Sequence, residues 1–135
     1  MSESAYAYFR VVADDLPLDE ITSRMGIPPT ESWHKGDPGV YNPSRPNAGW
    51  CLFSPLPRTE LVLSRHIKAL LPLLEARALV VRELSQRFET WFVCVGYYAH
   101  SSPGLGFSAQ EIRSLAALGV GLDCDVYIDP EYGLP

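Results

Sequence analysis

The sequence lacks most features that would narrow its chemistry at once. It contains no Gly-x-Ser-x-Gly elbow, no P-loop, no Gly-x-Gly-x-x-Gly fingerprint and no His-Glu-x-x-His pair. No apolar run approaches the roughly 18 residues that a helical membrane span needs, so no membrane association is expected. The N-terminus, Met1-Ser2-Glu3-Ser4-Ala5-Tyr6, has neither the basic nor the apolar region of a signal peptide, which predicts a cytoplasmic protein. Cations are scarce: 11 Lys and Arg stand against 16 Asp and Glu, a net charge of −5. This disfavours nucleic acid, whose phosphates need a basic face, and suits a protein partner with a basic surface. Cysteine is sparse too. Cys51, Cys94 and Cys124 are odd in number, scattered, and without a Cys-x-x-Cys pair, so they read as reduced core thiols. A three-cysteine zinc centre would require three distant strands to converge. No metal and no cofactor are expected.

What is present fits one domain over residues 1–135: 47% hydrophobic and 20% charged residues, enough for a core without a metal or disulfide staple. Tyr6 to Ala13 is aromatic and β-branched, a first strand. Leu18, Ile21 and Met25 are spaced along one helical face, and Gly26 followed by Pro28-Pro29 stops that helix. A long irregular stretch runs from Pro28 to Gly49. Trp50 to Phe53 reads as a second strand. Thr59 is a candidate N-cap for a helix from about Glu60 to Leu71, with Pro72 predicting a break before a second piece from about Leu73 to Leu84. Arg87 to Ala99 alternates, with Trp91, Val93, Val95 and Tyr97 on one face and Phe92, Cys94, Gly96 and Tyr98 on the other. It reads as a central strand that is covered on both sides, or covered on one with an aromatic binding face on the other. Ser108 and Glu111 form a capping box ahead of a short helix with Ile112, Leu115 and Ala116 on its apolar side and Gly119 as its stop. Leu122 to Ile128 alternates as a last strand, with Leu122, Cys124, Val126 and Ile128 facing in. The order predicts an α+β fold: a mainly antiparallel sheet with helices on one face, ferredoxin-like or related.

Candidate functional residues concentrate in two places. Trp33, His34 and Lys35, answered by Trp50, put aromatic anchors, an imidazole and an ammonium into a Pro- and Gly-rich loop, where a plain connector would carry none of them. An imidazole there titrates in the useful range, but no nucleophile accompanies His34, so no catalytic residue is assigned. Asp123 and Asp125 share one strand face at period two, and with Asp129 and His100 they resemble a hard-cation cluster. Charged alternation that blocks edge-to-edge strand pairing accounts for the same pattern without a metal. Of the aromatic residues Trp33, Trp91, Tyr97, Tyr98 and Tyr127, Tyr98 and Tyr127 are the two best placed to remain free for recognition. Arg65, His66 and Lys68 read as a solvated helix face.

Several segments together resemble one family: Tyr8-Phe9-Arg10-Val11; Met25-Gly26-Ile27-Pro28-Pro29-Thr30-Glu31-Ser32-Trp33 with Lys35-Gly36; Trp50; Phe107-Ser108-Ala109; and Leu118-Gly119 leading into Leu122 to Tyr127. It is a bacterial domain-of-unknown-function family, numbered four-two-seven-nine, and the resemblance spans nearly the whole chain. It implies a bacterial cytoplasmic α+β protein with no assigned activity. Small families of this kind often sit beside toxin genes as immunity proteins, an analogy rather than a reading of residues. The segment from Asp37 to Ala48 is longer and richer in proline than the family pattern. The expected function is a non-enzymatic binding or interaction module, immunity-like or regulatory. Trp33, His34, Lys35, Trp50, Asp125 and Tyr127 are its candidate binding residues. The alternative is a small-ligand binder or enzyme with a pocket beneath the Trp33 to Trp50 loop, and self-association as a homodimer is a third possibility.

Overall fold

The computed structural model describes residues 2–134. Its frame is a five-stranded mixed sheet in the order β2-β3-β1-β4-β5, made of β1 (Ser4–Ala13), β2 (Glu31–Trp33), β3 (Ala48–Phe53), β4 (Glu89–Tyr98) and β5 (Gly121–Ile128). All neighbours are antiparallel except β4 and β5, which run parallel. The helices α1 (Leu18–Met25), α2 (Leu63–Glu75), α3 (Ala78–Arg87) and α4 (Ala109–Leu118) leave one sheet face uncovered. The α+β expectation holds. No helix among the described residues is long and apolar enough to cross a membrane.

Alternation along β1 sets the two faces. Ala5, Ala7, Phe9 and Val11 are buried beneath the helices, while Tyr6, Tyr8, Arg10 and Val12 project from the opposite side. On the helix side they meet Trp50 and Leu52 of β3, Phe92, Cys94 and Tyr98 of β4, and Ile67, Leu70 and Leu74 of α2. His66, read from sequence as solvated, is fully buried there. Its Nε2–H donates to the Glu60 carbonyl at 2.7 Å and its Nδ1 accepts from the Ser54 hydroxyl at 2.9 Å. These two bonds let an imidazole sit in an apolar layer.

Local signals placed several boundaries. Gly26 and Gly119 adopt φ of 68° and 75°, the left-handed conformation that closes α1 and α4. Ser108 and Glu111 form the reciprocal capping box. Other expectations need correction. Pro72 does not break the helix: α2 runs through it to Glu75, and the chain turns only at Ala76 and Arg77. Pro72 and Lys68 are both exposed, so the Lys68 carbonyl that loses its donor can turn to water. Thr59 caps nothing; Val62 precedes the helix, with its N–H bonded to the Glu60 carboxylate. Ile112 is exposed.

The last strand departs furthest from its reading. Leu122, Cys124, Val126 and Ile128 do lie on the helix side, opposite Phe92, Cys94, Gly96 and Tyr98, yet all four are exposed, Ile128 at 54%. β5 is an edge strand that the helices do not roof, so an inward direction brings no burial. Cys124 is therefore exposed, whereas Cys51 and Cys94 are buried thiols as expected.

Candidate functional site

The uncovered face is concave. Its registers lay out the floor in rows across the strands: Glu31, Cys51, Arg10, Trp91 and Gly121 form one, and Phe53, Tyr8, Val93 and Asp123 the next. A cleft of about 620 Å³ opens over this floor, in the size range of a small-molecule site. Its chemistry is aromatic and cationic. Tyr6, Tyr8 and Phe53 stack in a row, with Tyr8 and Phe53 centroids 4.7 Å apart. Arg58 lies over Tyr6 at 4.1 Å, and Arg45 lies over Trp33 at 4.1 Å. Arg10 stands mid-floor, and its Nε is buried without a hydrogen-bond partner.

Two tryptophans wall the cleft, and each lies across a glycine of the neighbouring strand. Trp33 pairs with Gly49 and covers it; Trp91 pairs with Gly121 and covers that. A methyl group on either glycine would overlap the indole ring. Hydrogen bonds lock both rings, from the Trp33 indole to the Asn47 carbonyl at 3.0 Å and from the Trp91 indole to the Glu89 carboxylate at 2.9 Å. The loop between β2 and β3 is tied by paired backbone bonds. The Gly36 N–H donates to the Arg45 carbonyl and the Arg45 N–H to the Asp37 carbonyl, both at 2.8 Å. Its tip holds Val40 and Tyr41 at the cleft rim, with Tyr41 95% exposed.

Burial sets the titration of the floor. It raises the Tyr6 and Tyr8 phenols, helped at Tyr6 by the Tyr97 hydroxyl and opposed at Tyr8 by Arg10. Burial, with Glu31 adding, pushes the Cys51 thiol up to about 12. Cys51 is thus a protonated thiol at neutral pH and not a nucleophile.

The sequence-derived candidates scatter over this geometry. Trp33 lines the cleft. Trp50 belongs to the other face: it is fully buried against Phe9 and donates to the Thr22 hydroxyl at 3.0 Å, so no ligand can reach it. His34 is exposed and engages Asp37 through its backbone N–H, and Lys35 pairs with Asp14 at 2.7 Å. Asp125 and Tyr127 lie on the open face but on β5, with three strands between them and β2; Tyr127 stacks on Tyr97 at 5.1 Å. His34, Lys35 and Asp125 therefore do not converge. Tyr98 is buried on the helix side and donates to the Leu61 carbonyl at 2.8 Å, contrary to its selection as a free aromatic. Among the described residues no group of His, Cys, Asp and Glu is placed to hold a metal ion, so Asp123, Asp125, Asp129 and His100 do not form a cation site.

Arg10, Arg45, Arg58, Tyr6, Tyr8 and Phe53 went unnoticed in the sequence. One signal was available: Tyr6-Ala7-Tyr8-Phe9-Arg10-Val11 alternates small or apolar residues with aromatic or cationic ones, and an arginine inside a strand beside two tyrosines marks a face with work other than packing.

A family profile described as a domain of unknown function, DUF4279, matches residues 3–129. The chain belongs to the DUF4279 family. The match takes in all five strands and all four helices, so the cleft sits on the DUF4279 domain itself rather than on an appendage. No curated protein and no solved structure matches this DUF4279 chain.

Proposed function

We propose that this protein is a binding module that takes a small ligand on the open face of its sheet, beneath the loop between β2 and β3. One observation carries the reading: a concave, aromatic-floored cleft whose central arginine has a buried N–H with no acceptor among the described residues. Convergent polar groups set in an apolar concavity are what small-molecule sites require. Trp33 serves as a wall, and the apolar loop tip at Val40 and Tyr41 would cover part of the ligand. A metabolite library screened by thermal shift, with hits mapped by amide NMR, tests this. Expected are compounds that raise the melting temperature and move amides of β1, β3 and β4. A library in which every stabilising compound maps elsewhere defeats it.

The protein-partner reading has its own support in β5. This exposed edge strand carries Leu122, Val126 and Ile128 on one side and Asp123 and Asp125 on the other. A partner strand with basic side chains would pair there by main-chain bonds. Val126→Lys, on the apolar side, should abolish capture of such a partner; undiminished capture by the folded variant rejects the edge as the contact.

A further inference from the structure

Among the described residues, carboxylates pair with Arg24, Lys35, Arg65 and Arg87. Arg77 gives its guanidinium to backbone carbonyls. Lys68, Arg82 and Arg113, outside the cleft, have no carboxylate at ion-pair distance among the described residues, and what sets the arginines of the cleft apart is that three of them share one floor. Among the described residues no carboxylate reaches ion-pair distance of Arg10, Arg45 or Arg58, in a chain whose net charge is −5. Arg45 and Arg58 lie on Trp33 and Tyr6, an arrangement that keeps a guanidinium beside a ring; Arg45 also donates its Nε–H to the Pro38 carbonyl at 3.4 Å, which leaves its terminal N–H groups available, as they are on Arg58. Among the described residues the Arg10 guanidinium has no hydrogen-bond partner, and its Nε is buried.

We infer that the cleft holds a small organic anion, a carboxylate or phosphate on a flat unsaturated body, with its charged group on Arg10. This rests on the open-face binding proposed above and adds the class of ligand. A planar guanidinium binds such a group through two parallel N–H···O bonds, the geometry least replaceable by a neutral ligand. Register decides which way the anion lies. Glu31 shares the row of Arg10, and Glu89 the row of Val12, so carboxylate charge gathers toward the loop end of the floor. Asp123 lies across Val93 from Tyr8 and Asp125 across Val95 from Tyr6, both on the β5 side. The anionic group therefore sits on the remaining quarter, between Arg10 and Arg58 over Tyr8 and Phe53, with the flat body against Trp91 and the Tyr41 tip. The acceptor missing at Arg10 Nε is supplied by the ligand.

Naphthoate and its neutral counterpart naphthylmethanol test this, titrated into the full chain and followed by amide NMR. Naphthoate is expected to move open-face amides of β1, β3 and β4 and to bind at least about ten-fold more tightly than the alcohol. Arg10→Met should erase that preference while the alcohol still binds. Arg58→Gln, on an exposed side chain, should reduce it and carries the test if Arg10→Met fails to fold. Equal affinities for the two probes, or a preference that survives the arginine substitutions, overturns the anion assignment and leaves open-face binding standing. If neither probe moves open-face amides, the anion assignment falls, and the library screen alone decides open-face binding.

Discussion

The two faces of this sheet share five strands and differ in almost everything else. On the helix face, small and apolar residues of β1 pack against Trp50, Phe92 and α2, and the polar groups admitted there, His66 and the Tyr98 hydroxyl, have partners in the protein. On the open face, aromatic rings stack on one another and on arginines, and the buried Nε of the central Arg10 has no hydrogen-bond partner among the described residues. The first arrangement closes its interactions internally and the second leaves some unmet. Stability should therefore be concentrated on one face and recognition on the other.

The division can be broken by substitution, starting where the effect is greatest. Trp50→Ala should cost about 3–5 kcal/mol in a urea melt, because it empties a fully buried site and strands the Thr22 hydroxyl. A loss near zero would mean that the helix face is not the main source of stability. Gly121→Ala should cost about 1–3 kcal/mol and shift tryptophan emission, since the new methyl displaces the Trp91 ring. An unchanged spectrum would show that the wall does not depend on its glycine. Alkaline pH tests the floor directly. Burial raises Tyr6 and Tyr8, so the folded state holds their protons more tightly than the unfolded chain does. Their contribution is complete below the unfolded tyrosine pKa of about 10 and is lost as pH climbs above it. Melting temperature followed upward from about pH 9 should fall, and Tyr8→Phe should flatten that fall. The smallest effect has the opposite sign: Arg10→Met should stabilise the free protein by about 0.5–1 kcal/mol by removing an unsatisfied buried donor. Destabilisation by Arg10→Met would place Arg10 among the structural residues and erase the contrast between the faces.

How much of this was legible in the sequence depended on how local the cause was. The α1 boundaries, its glycine stop and the Ser108–Glu111 box rest on interactions a few residues apart, and the sequence spelled them out. β2 did not show because three residues, Glu31–Trp33, become a strand only by pairing with β3. The β5 alternation was read in the right phase, but burial there depends on how far the helices reach, and no local pattern records that. The cleft was approached through Trp33 and missed through Arg10, because its floor is assembled from residues of β1, β3 and β4 that only the register brings together. Trp50 showed the limit of reading by residue type: a tryptophan at a loop end serves the core as readily as a ligand.

The position of β1 also governs the order in which the chain can be finished. This first strand sits mid-sheet, where Ser4 meets Tyr97 and Val12 meets Glu89, so its second edge stays open until β4 has been made. On the ribosome, Phe9 and Val11 must wait with only the β3 side occupied, and β5, which pairs with β4, joins the sheet after it. Contacts this distant in sequence make sheet closure slow. During synthesis the waiting edge of β1 is where a stalled or truncated chain would meet a chaperone, or another copy of itself.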